Sequence, residues 1–122
     1  MSFPTLGRLL IVDDETELLA ALCESLADQN YDAIGAPSAE EGLRRVQSER
    51  FDLVITDYSM PGMTGGDLAR AVRAVAPSMP ILIASGYAEL PAGLDLDVAR
   101  LGKPYTQEQL IQEIAKLESQ PS

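Results

Sequence analysis

Five residues with acidic, hydroxyl or amino side chains each stand at the end of a short apolar stretch. Asp13 and Asp14 follow the first stretch, and Asp57 ends another. Ser85 ends a further stretch, and Lys103 follows the last one. Carboxylates attract a cation, and a lysine ammonium attracts an anionic group. A site that gathered these residues could therefore bind a metal ion and handle a charged group such as a phosphoryl.

The carboxylates in this set predict a magnesium site. Three carboxylates within several Å of one another repel strongly and raise at least one pKa unless a cation neutralises them. Mg2+ prefers oxygen ligands and is typically held by one or two carboxylates, phosphate oxygens and water. We expect Asp14 and Asp57 to bind the ion directly and Asp13 to bind it through water. The backbone carbonyl of Ser59 is predicted as a third direct ligand from the protein.

Asp57 is predicted to be the nucleophile that accepts a phosphoryl group. The oxygens of that group would be shared by the metal, the Lys103 ammonium and the Ser85 hydroxyl, so that catalysis consists of positioning and electrostatic stabilisation. The chain contains no histidine. A phosphohistidine donor would therefore have to belong to another protein or domain.

Short apolar runs predict the strands that position these residues. The central runs are Leu9–Val12, Asp52–Thr56 and Ile81–Ala84. Runs of this kind are typical of strands buried on both faces of a parallel sheet. The runs 31–36 and 98–101 are interrupted by Asp32 and Arg100, which predicts strands at the sheet edges.

Apolar residues at helical spacing predict helices between the strands. The stripes are Leu18-Leu19-Leu22-Leu26, Leu68-Ala71-Val72-Val75 and Leu110-Ile111-Ile114-Leu117. Capping pairs mark three helix starts: Ser38 with Glu41, Thr64 with Asp67, and Thr106 with Gln109. This alternation predicts a five-stranded parallel sheet, doubly wound by helices on both faces. With the strands in the order 2-1-3-4-5, the five polar side chains converge on one shallow pocket.

The interval before the last strand departs from the regular alternation. Pro91 and Gly93 would break the interior of a helix there. We therefore expect the fourth helix to be shortened or absent, with about one turn near 88–90, or a mobile loop in its place.

Composition narrows the function classes. The chain has 122 residues and a formal net charge of -10. We expect one domain over residues 1–122, and we expect neither nucleic acid nor an anionic membrane as a partner, because both are polyanions. Cys23 has no disulfide partner in the chain and lies in an apolar helical pattern, which predicts a buried, reduced thiol. No signal-peptide pattern or membrane-spanning run is visible, so a cytoplasmic location is expected.

The set of motifs resembles the receiver domains of two-component response regulators, a CheY-like superfamily. The resemblance covers nearly the whole chain and rests on these residues: Asp13-Asp14, Asp57 with Met60-Pro61-Gly62, Ser85-Gly86 and Lys103-Pro104. It implies a flavodoxin-like fold, a requirement for Mg2+ and phosphorylation of Asp57 by a phosphohistidine. The partner would be a sensor histidine kinase or a histidine phosphotransfer domain, and Ser85 would reorient toward the acyl phosphate. Segments 58–63 and 84–89 look most like receivers at the C-terminal end of hybrid sensor kinases.

Two features depart from the pattern of that family. Many receivers have an aromatic switch residue three positions before the lysine, and here that position is Arg100. Tyr105 is not an equivalent substitute by position. Lys103 also follows Ser85 by only 18 positions, which is short for a complete helix and its loops. Signal output is therefore expected to use other elements.

Other interpretations remain open at this stage. Asp13-Asp14 could serve only as a helix cap and dipole complement, and Lys103-Pro104 could be a surface residue before a helix. An aspartate-nucleophile phosphatase would usually carry a second acid two residues after the nucleophile, where this chain has Ser59. We therefore expect no turnover of an external substrate, only self-phosphorylation and self-dephosphorylation. A pseudo-receiver that binds partners without phosphorylation is opposed by the acidic set and favoured by Arg100. Nothing in the sequence indicates a homodimer.

Overall fold

The computed structural model describes residues 7–86 and 98–118. The described elements are β1 (Arg8–Val12), α1 (Thr16–Asp28), β2 (Asp32–Ala36), α2 (Ala39–Ser48), β3 (Leu53–Asp57), α3 (Gly65–Val75), β4 (Ile81–Ser85), β5 (Ala99–Gly102) and α4 (Gln107–Glu118). The strands form one sheet in the order β2-β1-β3-β4-β5, and every pair is parallel. The predicted fold class is therefore confirmed. The turn of helix expected near 88–90 lies outside the described residues.

The central strands are buried on both faces, as their continuous apolar runs predicted. Successive residues of a strand face opposite sides of the sheet. Leu10 and Val54 accordingly pack with residues of α2 and α3, whereas Leu9 and Leu53 pack with residues of α1 and α4. Each layer of helices thus covers its own hydrophobic cluster, and the sheet separates the two clusters.

The two outer strands are those whose apolar runs are interrupted by a charged residue in the sequence. β2 and β5 lie at the two edges of the sheet, and both Asp32 and Arg100 are exposed. A charged side chain is tolerated at these positions because an edge strand is open to solvent on one side. The prediction made from the interruptions in their apolar runs is confirmed.

All three predicted capping pairs are present. The Ser38 hydroxyl accepts a hydrogen bond from the backbone N–H of Glu41 at the start of α2. The pair at the start of α3, Thr64 with Asp67, forms a reciprocal capping box, and the same two-way bonding begins α4. The stripe predicted for α3 is one residue too long, because Val75 is 46% exposed at the last position of that helix.

Close helix packing lies directly behind the first acidic pair. A Cβ built on Gly42 of α2 would lie 2.8 Å from Cγ2 of Val12, which is tighter than side chains tolerate. Glycine at this position therefore lets α2 approach β1 closely. Val12 is the last residue of β1, so this contact supports the strand end from which Asp13 follows.

Arg8 forms a network of contacts at the amino ends of the strands. Its side chain pairs with Asp32 at 3.3 Å and with Glu49 at 2.8 Å, and its guanidinium lies 4.9 Å from the centre of the Phe51 ring. Its backbone N–H donates to Oδ2 of Asp52 at 2.7 Å. One residue thereby joins β1 to β2 and to the segment between α2 and β3.

Two further predictions concern the thiol of Cys23 and the presence of membrane-spanning helices. Cys23 was predicted to be buried, but it is only half-buried in α1, and this partial burial raises the pKa of its thiol. In the described parts of the chain, none of the helices has both the length and the apolar character needed to span a bilayer.

Candidate functional site

The buried polar side chains of the described residues collect at one end of the sheet. These residues are Asp13, Thr56, Asp57 and Ser85. They lie at or directly after the carboxyl ends of β1, β3 and β4, the three central strands. Because burying a polar or charged group is costly unless it is compensated, this concentration marks the carboxyl end of the sheet as a site.

Three carboxylates form an acidic cluster at this end. Asp13, Asp14 and Asp57 each place a carboxylate oxygen within 4.8 Å of the others. Asp13 and Asp57 are only 4% and 7% exposed, whereas Asp14 is exposed. The cluster therefore has a buried side formed by protein and an open side where a ligand can approach.

Lys103 supplies a positive charge to the cluster. Its Nζ lies 2.6 Å from Oδ1 of Asp57. The lysine follows β5, and its backbone N–H donates to the carbonyl oxygen of Ser85 at 2.8 Å. The end of β4 thus fixes the point from which the lysine side chain reaches across to β3.

The electrostatics of the cluster follow from burial and crowding. Burial raises the pKa of Asp13, and the nearby Asp14 raises it further, against the lowering effects of the hydrogen bond from the Glu15 N–H and of Lys103. For Lys103, burial alone would lower the pKa. The Asp57 carboxylate outweighs that effect and raises the pKa of the ammonium, with a smaller contribution from Asp13. The protein therefore places a lysine cation against Asp57, one member of a group of carboxylates that repel one another.

The remaining predicted residues lie beside this cluster. Asp57 pairs with Ala84 across the β3–β4 ladder, and Ser85 is the next residue along β4. Ser85 is 7% exposed. Ser59 is exposed, two residues beyond Asp57 in the loop that leads to α3. The predicted convergence of strand ends is therefore observed, while the metal-binding role of the Ser59 carbonyl stays a prediction.

The loop after β3 is held closely against Asp57. Gly62 has a φ of 79°, the left-handed conformation that glycine after proline adopts in a type II turn. Further on, the Gly65 N–H donates to the Tyr58 carbonyl at 2.8 Å, and the Tyr58 N–H donates to the Ala84 carbonyl at 2.9 Å. The loop consequently returns to β3 and begins α3 beside the acidic cluster.

Two positions that support Asp57 were missed by the sequence reasoning. A Cβ on Gly65 would lie 2.4 Å from the Asp57 carbonyl oxygen, so any larger residue would displace that backbone. The fully buried Thr56 donates its hydroxyl to the same carbonyl at 2.9 Å. Both left a signal: Gly65 is an unfavourable residue in a first helical turn, and Thr56 is a polar residue within a buried run.

The donor chemistry of the cluster fits Mg2+. All of the donors are oxygens, and two of the three carboxylates are largely buried. Mg2+ is bound in proteins by one or two carboxylates and keeps several waters. The exposed side at Asp14 leaves room for such waters. Lys103 brings a single positive charge to three carboxylates, so a divalent cation would also relieve their repulsion.

The parallel sheet has the order β2-β1-β3-β4-β5, with carboxylates at the carboxyl ends of β1 and β3 and a lysine after β5. The chain belongs to the response regulator receiver domain family, whose profile matches residues 9–115. It is therefore a receiver domain of the kind found in two-component response regulators.

The chain is similar to a relative of about its own length and to one that is much longer. It is 30% identical over 114 residues to the response regulator receiver protein CpdR of Brucella abortus, covering 90% of this chain and 95% of CpdR. It is 38% identical over 85 residues to the transcriptional regulatory protein GlrR of Escherichia coli K12, covering 70% of this chain. The match spans only 19% of GlrR.

Solved structures of receiver domains have the same fold. A CheY-like receiver domain protein from Methanospirillum hungatei matches with a TM-score of 0.83 and 31% identity, over 93% of this chain and 95% of that one. The receiver domain of the hybrid histidine kinase CckA matches with a TM-score of 0.79 and 25% identity, over 93% of this chain and all of that one (100%). Receiver domains are generally phosphoacceptors that interact with histidine kinases or phosphotransfer proteins, and they do not turn over an external substrate.

Proposed function

We propose that residues 1–122 form a single receiver domain that acts in a cytoplasmic phosphorelay. Asp57 accepts a phosphoryl group from a phosphohistidine of a sensor histidine kinase or a histidine phosphotransfer domain, and the group is later lost by hydrolysis. One observation supports this most directly: the buried Asp57 carboxylate has the other two acids of the cluster nearby and the Lys103 ammonium at 2.6 Å.

Four residues are assigned to metal binding in this proposal. Asp14 and Asp57 would hold Mg2+ directly, Asp13 through water, and Ser59 through its backbone carbonyl. When bound, the ion supplies positive charge that offsets the carboxylates and the oxygens of the incoming phosphoryl group. The open side of the cluster at the exposed Asp14 is where such a group can enter.

The transfer itself is a displacement at phosphorus. A carboxylate oxygen of Asp57 attacks the phosphorus atom and forms a new P–O bond. The P–N bond to the donor imidazole breaks, and its electron pair stays on the imidazole nitrogen. The Lys103 ammonium, which pairs with the Asp57 carboxylate before the transfer, then pairs with a phosphoryl oxygen. The Ser85 hydroxyl donates a hydrogen bond to a second phosphoryl oxygen. These groups stabilise charge on the transferred phosphoryl and contribute through position.

The return to the resting state requires one water molecule. Water attacks the phosphorus of the acyl phosphate, and the bond between phosphorus and the Asp57 oxygen breaks. The carboxylate is regenerated and inorganic phosphate leaves. The Lys103 ammonium then pairs again with Asp57, as it does in the structure.

A second candidate is a pseudo-receiver that binds partners without being phosphorylated. It is favoured by Arg100, an exposed residue of β5 at the position where many receivers carry an aromatic switch residue. Such a protein would have no need of an acidic cluster open to a ligand, and this chain has one.

Intact-protein mass spectrometry with a small phosphodonor separates the two candidates. With Mg2+ and phosphoramidate, the wild-type chain is expected to gain the mass of one phosphoryl group, and Asp57→Asn is expected to gain none. Asp28→Asn, a change of an exposed residue at the end of α1, is the matched control and should behave as wild type. A folded wild-type protein that gains no mass, or a gain that persists in Asp57→Asn, would reject the proposal.

A further inference from the structure

An apolar groove between α1 and α4 begins beside the acidic cluster. Leu18, Leu22 and Leu110 are among the residues that line it, together with Glu15 and Lys103. Glu15 and Lys103 connect the groove to the acidic cluster. The Glu15 N–H donates to Oδ1 of Asp13 at 2.9 Å, and Lys103 Nζ pairs with Asp57 at 2.6 Å. The groove and the candidate phosphorylation site therefore share residues.

Tyr105 lies where the groove and the site meet. It lines the groove next to Lys103 and Pro104, and its side chain packs against the hydrophobic cluster beneath α1 and α4. Burial raises the pKa of its phenol, Lys103 lowers it, and the charges of Asp13 and Asp57 raise it. The phenol is thus partly buried, neutral near pH 7 and close enough to sense the charges of the site.

The backbone between Lys103 and Tyr105 is short and stiff. Pro104 is the only residue between them, and its ring fixes one backbone dihedral. The Lys103 N–H is held by the Ser85 carbonyl. A phosphoryl group on Asp57 would add negative charge to the site. The lysine ammonium would then pair with a phosphoryl oxygen, which lies further out than the carboxylate oxygen that it contacts now. Both changes would act on the segment that carries Tyr105.

We infer that Tyr105 reports the state of Asp57 to the groove between α1 and α4. The inference rests on the proposed phosphorylation of Asp57. It gives the chain a route for output that does not need an aromatic residue in β5, where the exposed Arg100 stands.

Fluorine NMR of the full chain labelled with 3-fluorotyrosine tests the inference. The chain has 4 tyrosines, and each resonance is assigned with a Tyr→Phe variant. Beryllium fluoride with Mg2+ serves as the probe, because it mimics a phosphoryl group on the Asp57 carboxylate. Tyr58, which adjoins Asp57, reports whether the probe binds. Tyr31 is buried just before β2, at the opposite end of the sheet, and serves as the negative control.

The expected result is a displacement of the Tyr105 resonance by more than its linewidth, together with Tyr58, while Tyr31 stays in place. A shift of Tyr58 without Tyr105 overturns the inference and leaves the proposed function standing. Shifts at all three positions also overturn it, because the change would then be global. If Tyr58 does not respond, the proposed function fails, and the inference fails with it.

A second measurement asks whether the signal reaches the groove. The methyl resonances of Leu22 and Leu110 are expected to shift with the probe in the wild-type chain and in Tyr105→Phe, which keeps the ring. They are expected to lose that shift in Tyr105→Ala. Equal shifts in all three proteins would show that Tyr105 is only a packing residue. Should Tyr105→Ala not fold, the fluorine experiment on the wild-type chain still decides the question.

Discussion

A Cβ on Gly65 would lie 2.4 Å from the carbonyl oxygen of Asp57. The first residue of α3 therefore touches the backbone of the candidate phosphoacceptor, and the helix can begin there only because this residue has no side chain. Any shift of α3 would move the loop that carries Ser59 and the end of β3. The position of the Asp57 carboxylate is thus set partly by a residue eight positions further along the chain.

Gly65→Ala is expected to lower both stability and phosphorylation. Accommodating the new methyl group requires a backbone shift, which typically costs about 1–3 kcal/mol, and the shift would displace Asp57. Urea unfolding and the rate of phosphoryl uptake measure the two effects. Gly102→Ala is the matched control, because a Cβ there would meet nothing within 4 Å. An unchanged uptake rate in folded Gly65→Ala would contradict this account.

Asp14→Ala is expected to weaken Mg2+ binding by at least about tenfold, equivalent to ~1.4 kcal/mol. The substitution removes a carboxylate from the open side of the cluster, and because Asp14 is exposed, the fold should be retained. Calorimetric titration with MgCl2 measures the affinity, and Asp28→Ala provides the control. Equal affinity in the wild-type and Asp14→Ala proteins would remove Asp14 from the proposed ligand set.

Mg2+ should also stabilise the folded chain if the acidic cluster is its site. At a concentration about 100 times the dissociation constant, a ligand specific for the folded state adds about 2.7 kcal/mol. The melting temperature should therefore rise with MgCl2 in the wild-type protein. The rise should shrink in Asp14→Ala at the same concentration. A rise of the same size in both proteins would point to binding elsewhere.

Lys103→Met is expected to slow phosphoryl uptake at Asp57 by tenfold or more, or ~1.4 kcal/mol in the barrier. The variant keeps the length and apolar stem of the side chain but removes the ammonium that lies 2.6 Å from Asp57. Uptake from phosphoramidate is followed by mass. Lys116→Met, at an exposed lysine of α4, is the control for loss of a charge. Matching rates in both variants would show that the ammonium contributes nothing specific.

The thiol of Cys23 is expected to react slowly with a disulfide reagent. Burial raises its pKa, so at pH 8 a smaller fraction is thiolate than in the unfolded chain, and the thiolate is the reactive form. The rate should increase as the pH rises toward the raised pKa, and it should increase strongly in urea at constant pH. A folded protein that reacts as fast as the unfolded chain would show that the thiol is accessible and unperturbed.

The strand ends could be predicted from the sequence because their physics is local. Leu9 and Leu10 are consecutive and apolar, and a strand with both residues buried must be covered on both faces, as observed. Asp32 and Arg100 interrupt the apolar runs of their strands. A charged side chain needs solvent, so each of these two strands was predicted at an edge of the sheet, as observed. The order of the three central strands does not follow from these rules, but with the observed order β2-β1-β3-β4-β5 the convergence of Asp13 and Asp57 is a geometric consequence.

Contacts between distant segments could not be predicted in the same way. Gly65 is unfavourable for a helix, but the reason for a glycine there becomes visible only when the end of β3 is placed beside it. From the sequence, Tyr105 could be compared with the family only by its position relative to the lysine. The role inferred for it depends on the groove formed by α1 and α4, which the sequence does not reveal. Val75 fitted the apolar stripe of its helix but lies beyond the surface that the sheet covers.

Arg8 and the acidic cluster occupy opposite ends of the same sheet, and their charges are arranged differently. At the amino end, the guanidinium is matched by carboxylates of the chain, at Asp32 and Glu49. At the carboxyl end, the three clustered carboxylates share Lys103, so part of their charge is left to be matched by what binds there. Among the described residues, the charge of Arg8 is therefore neutralised within the folded chain, whereas the acidic cluster keeps a negative charge that a bound cation would offset.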